Sequence, residues 1–209
     1  MSDTILGWHF AQNDMRLGYD DEREIRDGET LHHDGELVMC KSGLHYSERI
    51  INALHYSRGH MICRVEGPAD ALVESDKRCG AWRKCLWHID GEELLRDFAR
   101  WCALQVIDKW DAPDVVRKYL ETGDESLRYA AWYAAGAVTE AAAGVAAGAA
   151  AGAAAGYAAR AGARNAARFA AWDAAGYVAG YDARDAAVAA ARAVQNTKLE
   201  RMVMEAKHE

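Results

Sequence analysis

The sequence predicts an α+β fold: a small mixed or antiparallel sheet with helices, followed by an Ala/Gly-rich all-α extension. Three observations predict it. Residues 1–89 alternate short β-favouring runs with Gly-containing turn signals. From Asp90 onward the apolar side chains recur at helical spacing. Residues 129–193 then hold 34 Ala and 8 Gly, a composition that favours helix even where there is little side chain to bury. Alanine cannot supply the core, so the seven Trp, nine Tyr and three Phe must anchor it. The expected organisation is an α+β domain over 1–124 and a helical extension over 125–209.

In the first part, residues 5–10, 36–40, 60–66, 71–74 and 81–89 read as strands. Asp27-Gly28, Asp34-Gly35, Ser42-Gly43, Gly67-Pro68 and Cys79-Gly80 punctuate them. Residues 47–56 read as a short helix, with Ser47 as N-cap and Ile50, Ile51 and Leu54 on one face. Asp90 and Glu93 have capping-box spacing, and Leu94, Leu95, Phe98, Trp101, Cys102, Val106 and Trp110 follow on roughly one face of a buried helix. Pro113 suits the first turn of a second helix that Gly123 ends, and a third begins near Asp124. An unbroken helix over the Ala-rich residues would be about 100 Å long at 1.5 Å per residue, so folding back or packing along another chain is expected.

The most regular feature of that segment is Gly144, Gly148, Gly152 and Gly156, four apart. Glycine costs about 1 kcal/mol against Ala inside a helix, so a row of four points to a close helix-packing interface. It resembles a glycine zipper, and a homo-oligomer through these helices follows as an expectation. Residues 141–159 lack charge but are too poor in large apolar side chains to suggest a membrane span. Arg160, Arg164, Arg168 and Trp172 form a second row on one helix face and are candidate partner contacts.

The net charge of −7 is concentrated in residues 1–40, where ten acidic side chains face three basic ones. That balance argues against a chain-wide nucleic-acid surface, leaving nucleic acid only as part of a complex. It makes Asp20, Asp21, Glu22 and Glu24 candidates for meeting a basic partner. Five cysteines at irregular spacing without a CxxC pair, and a start without a basic n-region or apolar run, suit a reduced, cytoplasmic protein. The eight histidines form no HxxxH pair or Cys/His box, so no metal is expected; no phosphate loop, GxSxG elbow or paired-carboxylate site appears, and no cofactor is expected.

Residues 40–47, Cys-Lys-Ser-Gly-Leu-His-Tyr-Ser, precede Ala53-Leu54-His55-Tyr56 and the run Ile62-Cys63-Arg64-Val65-Glu66-Gly67. Together they resemble an uncharacterised domain family of phage and prophage genomes, of Cys-x-x-Gly-Leu-His-x-Ser type, some of whose members carry an Ala-rich helical extension. The resemblance covers roughly residues 5–124 and implies a non-catalytic binding protein that blocks or recruits a host or phage protein, with counter-defence of anti-CRISPR type as its sharper form. The same residues are similar to the central part of ADP-ribosyltransferase-type folds. That likeness implies a nucleotide-processing enzyme with His45, Tyr56 and Glu66 at the matching positions, although no ExE or QxE pair follows. A glycine-zipper oligomer acting at membranes is the third expectation.

Overall fold

The computed structural model describes residues 3–18, 21–136, 145–156, 159–175 and 181–208. It is an α+β fold with a C-terminal helical region, as the sequence predicts. Two compact units make it up: Met1–Gly91 with Met202–Glu209, and Glu92–Arg201. The division falls at Gly91, earlier than the compositional change near 124. The helices after Gly91 find their partners among the Ala-rich helices: those at Glu92–Leu104 and Ala159–Ala175 pack on each other.

The first unit contains strands β1 (Thr4–Ala11), β2 (Arg16–Gly18), β3 (Asp21–Glu24), β4 (Thr30–His32) and β5 (Leu44–Tyr46). The short helix α1 (Ile50–His55) follows, and then β6 (Met61–Pro68), β7 (Leu72–Val73), β8 (Arg78–Gly80) and β9 (Trp82–Asp90). A four-stranded antiparallel sheet runs β1-β6-β9-β4; β5-β8-β7 form a second sheet and β2-β3 a hairpin. A bridge between Trp8 and Ser47, with backbone bonds of 2.7 and 3.0 Å, ties the end of β5 to the middle of β1. Ser47 is therefore bridged in extended backbone rather than capping α1, which starts after Arg49 without a side-chain cap. Residues 36–40 are not a strand either: Val38 pairs with Ser42, and the chain turns between them through Cys40 at φ +64°.

Large apolar side chains close this unit. Trp8, Phe10, Ile50, Leu54, Ile62 and Val65 are fully buried. Tyr46 crosses β1 and β6 only because both are glycine beneath it: a Cβ on Gly67 would stand 2.6 Å from the Tyr46 ring, and one on Gly7 2.7 Å. Gly80 and Gly91 are similarly hemmed in. Tyr46 donates its hydroxyl to the Pro68 carbonyl at 3.1 Å, which fixes the ring there. On the far side of the sheet Trp8, Arg64 and Trp87 stand side by side across β1, β6 and β9. The Arg64 guanidinium lies 4.5 Å from the Trp8 ring, and Trp8 meets Trp87 edge-on at 5.8 Å.

The second unit contains α2 (Glu92–Leu104), α3 (Asp114–Thr122), α4 (Arg128–Gly136), α5 (Val145–Ala154), α6 (Ala159–Ala175) and most of α7 (Tyr181–Ala206). Helix α2 buries Leu95, Phe98, Ala99, Cys102 and Ala103, the i, i+3, i+4 stripe of an amphipathic helix. Gly123 ends α3 in the left-handed region at φ +68° and donates its amide to the Tyr119 carbonyl at 2.8 Å. Alanines 131, 150, 163 and 166 are buried, so helices with almost no side chain still share an interior. Gly162 lets α6 approach α5 closely, since a Cβ there would stand 2.7 Å from the Ala153 carbonyl. Among the described residues no helix is long and apolar enough to cross a membrane.

Clearance under Tyr46 yields a direct test. Gly67→Ala places a methyl inside the ring's contact distance and is expected to destabilise the protein by about 1–3 kcal/mol, as overpacking of a filled core does. The shift of the urea midpoint at unchanged slope measures it.

Candidate functional site

A cavity of about 490 Å³ opens in the first unit, within the size range of small-molecule sites. Strand β1 contributes Trp8, His9 and Phe10, β5 contributes His45 and Tyr46, and Arg83 of β9 lines it as well. Its other walls come from the β2-β3 hairpin, the turn at 40–43, Tyr56 and Arg58 after α1, and Lys77 before β8. Among the described residues the lining carries five basic side chains (Arg23, Lys41, Arg58, Lys77 and Arg83) and one carboxylate, Asp21. In a chain of net charge −7 this is a local reversal of sign. Asp21 is spent on Arg23, which it holds at 2.7 Å, and that contact keeps the Asp21 carboxyl below the usual range. Lys77 is paired as well, with Glu74 at 3.2 Å, and Lys41, Arg58 and Arg83 are the further cations of the lining.

The turn at 40–43 is built around His45. The Cys40 amide donates to His45 Nε2 at 3.0 Å, and His45 Nδ1 lies 3.2 Å from the Gly43 carbonyl. An amide can only donate and a carbonyl can only accept, so the ring must carry its single proton on Nδ1. Burial lowers its pKa, in keeping with a neutral ring. Both nitrogens are occupied, so His45 is a turn-forming residue rather than a free acid or base. Gly43 at φ +115° and Cys40 at φ +64° complete the turn; a Cβ on Gly43 would also stand 2.5 Å from the Cys79 sulfur. His33 reinforces it: Ser42 Oγ donates to the Glu36 carbonyl at 2.8 Å and so accepts from His33 Nε2, also at 2.8 Å.

Arg83 is the least expected member. Only 3% of it is exposed, and its Nη1 donates to the His45 carbonyl. Among the described residues its Nη2 has no partner, and neither has Nε1 of fully buried Trp8. Desolvation pulls the Arg83 pKa down to about 10, and the opposing influences are charge interactions with the sulfurs of Cys63 and Cys85 rather than with a carboxylate. His9 lies in the same surroundings. Burial, followed by the charge of Arg83, holds its imidazole well below the usual value of 6.5.

Of the residues singled out in sequence, the cavity brings together His45, Tyr56 and Asp21. Tyr56 donates to Asp76 at 2.6 Å and lies under Lys77, whose Nζ is 4.7 Å from the ring centre. Glu66 does not line the cavity; it sits on β6 beside Lys84 at 3.7 Å. Glu22 pairs with Arg16 and Glu24 with Arg26, so much of the acidic stretch is neutralised locally. Asp20 and Gly144 fall outside the described residues. Gly148 is buried, Gly152 would meet Ala135 of α4 at an ordinary 3.7 Å, and Gly156 follows the end of α5. Arg160, Arg164, Arg168 and Trp172 lie on α6; Arg168 covers the neighbouring Phe169, and Arg184 of α7 stacks 4.1 Å from the Trp172 ring. All five cysteines are free, and the described residues contain no group of His, Cys, Asp or Glu able to hold a metal.

Arg83, His9, Lys41, Arg58 and Lys77 were not visible as a site in sequence. One signal was available: Arg83 alternates with Cys85 on a strand, which sets a charge on the inward side of the pleat. Comparison with known protein families, curated proteins and solved structures gives no match.

The neutral histidines make stability depend on pH. The unfolded chain takes up a proton on His9 below about pH 6.5, and the folded chain does so only at lower pH. Folding is then opposed as pH falls, so unfolding free energy is expected to decline between pH 7 and pH 5. In His9→Gln the decline becomes shallower, with the remainder carried by His45, whose pKa is lowered in the same direction. Urea denaturation at stepped pH reads the slope.

Proposed function

We propose that the first unit binds a small anionic molecule of nucleotide class. The observation that carries this reading is the cation-lined cavity in an acidic chain, with the aromatic residues Trp8, Phe10, Tyr46 and Tyr56 along its lining. A desolvated cavity of one charge sign attracts ligands of the other, and aromatic walls accept a flat ring. The volume suits a mononucleotide or a sugar phosphate. The likeness to ADP-ribosyltransferase-type folds points the same way as to ligand. Group transfer of that type is not part of this reading, because Glu66 lies away from the cavity and His45 is occupied by its own turn.

Calorimetric titration with AMP, ADP and NAD, using adenosine as the uncharged control, tests it. Binding of the phosphorylated molecules, weakened by salt and by about tenfold in the double variant Lys41→Ala/Arg58→Ala, is the expected result. Equal binding of adenosine, or no binding of any phosphorylated molecule, overturns it.

A second reading is the protein-binding role implied by the resemblance to phage domains, including the blocking of a host protein. It is favoured by α4, where Tyr129 and Tyr133 stand 63% and 70% exposed on one helix. Exposed tyrosines of this kind are frequent anchors of protein interfaces. If this face binds a host protein, a stoichiometric partner retained by the wild-type chain is lost from Tyr129→Ser/Tyr133→Ser while the fold, read by circular dichroism, is unchanged. Retention of the partner by the variant refutes it.

A further inference from the structure

Within the proposed ligand site the interior contains one guanidinium, Arg83, that no carboxylate among the described residues pairs with. A guanidinium removed from water costs several kcal/mol unless an anion or a full set of acceptors meets it. Arg83 has one acceptor, the His45 carbonyl, and a buried Nη2 without a partner among the described residues. Around it stand neutral or protonatable groups. His9 comes from β1, and His45 from β5. Cys63 on β6 and Cys85 on β9 face it as well, and the hydrogen bond from Cys85, with the charge of Arg83 adding to it, lowers the pKa of Cys63. Arg83, with its unpartnered Nη2 among the described residues, and His9 thus line one cavity.

We propose that Arg83 is the seat of the ligand's oxyanion, a phosphate-class group with tetrahedral oxygens, and that His9 is its protonatable neighbour in that seat. This rests on the reading of the cavity as an anion site and assigns the part of it that holds the charge. An oxyanion there supplies acceptor oxygens to the guanidinium and offsets its buried charge, in the manner of other charge-assisted arginine contacts. It also reverses the environment of His9. Burial, and after it the charge of Arg83, holds the imidazole neutral, whereas a dianion beside it favours the charged form, so binding draws a proton onto it. Lys41, Arg58 and Lys77 are then the attracting cations of the lining, and Arg83 is the anchoring one.

Inorganic sulfate is the probe, because it remains a dianion from pH 5 to pH 8 and its own titration cannot mimic the effect. Sulfate affinity of the full chain is measured by calorimetry at pH 5.5 and 7.5 in two buffers of different ionisation enthalpy. The expected result is binding about tenfold tighter at pH 5.5, with net proton uptake. His9→Gln is expected to keep binding but lose the pH dependence, and Arg83→Met to lose sulfate binding. Removing an uncompensated buried charge need not unfold the chain, and should Arg83→Met fail to fold, the His9→Gln arm still decides. Sulfate affinity unchanged in folded Arg83→Met, or a pH dependence unchanged in His9→Gln, overturns the seat even if nucleotides bind. Absence of both nucleotide and sulfate binding overturns the broader reading together with it.

Discussion

A guanidinium held inside the first unit is the constraint around which the rest of that unit is arranged. Arg83 sits at an inward position of β9, and Cys85, Val65 and Tyr46 next to it form an apolar cluster. The His45 carbonyl that receives its Nη1 belongs to the strand that follows the 40–43 turn, so the position of the charge and the shape of the turn are set together. The turn in turn depends on backbone conformations that side chains seldom adopt, at Cys40 and Gly43, and on a histidine whose two nitrogens close it from both sides. Charge, turn and cavity wall are thus one structural statement. On the proposed anion-binding reading, stability is given up at Arg83 to keep a cation where a ligand can meet it, a trade found where binding sites and packing compete.

The glycines of the sheet serve the same end. Gly7 and Gly67 leave room for Tyr46 to lie across β1 and β6, and Tyr46 lines the cavity from the other sheet. The second unit solves a different problem. Its alanines bury little each, and its interior is supplemented by Phe98, Tyr119, Leu120 and Leu199 and by polar ties such as Gln195 to the Ala167 carbonyl at 2.9 Å and Lys109 to the Asp173 carbonyl at 2.6 Å. Close approach between α5 and α6 depends on Gly162, outside the regular four-residue row.

Much of the fold was legible in sequence because long elements have clear periods. Strands β1, β6 and β9, helix α1 and the helices from α2 to α4 all fall where alternation or i, i+3, i+4 spacing places them. The three-residue strands β2, β4, β5 and β8 were not, since three residues cannot display a period and their pairing is set by distant partners. The site was legible only in part. His45 and Tyr56 attracted notice through their motif, yet their side chains turn out to be tied to Cys40, Gly43 and Asp76. Arg83, Lys41, Arg58 and Lys77 come from separate segments and share no motif; only folding gathers them. Glu66 entered through the likeness to ADP-ribosyltransferase-type folds, and it lies beside Lys84 and not in the cavity wall.

The central claim is that the charge of Arg83 is kept for a ligand. A crystal of the protein grown with 8-bromo-AMP and measured at the bromine edge tests it most directly. The account predicts one anomalous peak inside the cavity beside Tyr46 and Tyr56, with the phosphate density within hydrogen-bond reach of Arg83. A peak elsewhere on the molecule, or a bound nucleotide whose phosphate faces solvent while Arg83 keeps its free nitrogen, would contradict it.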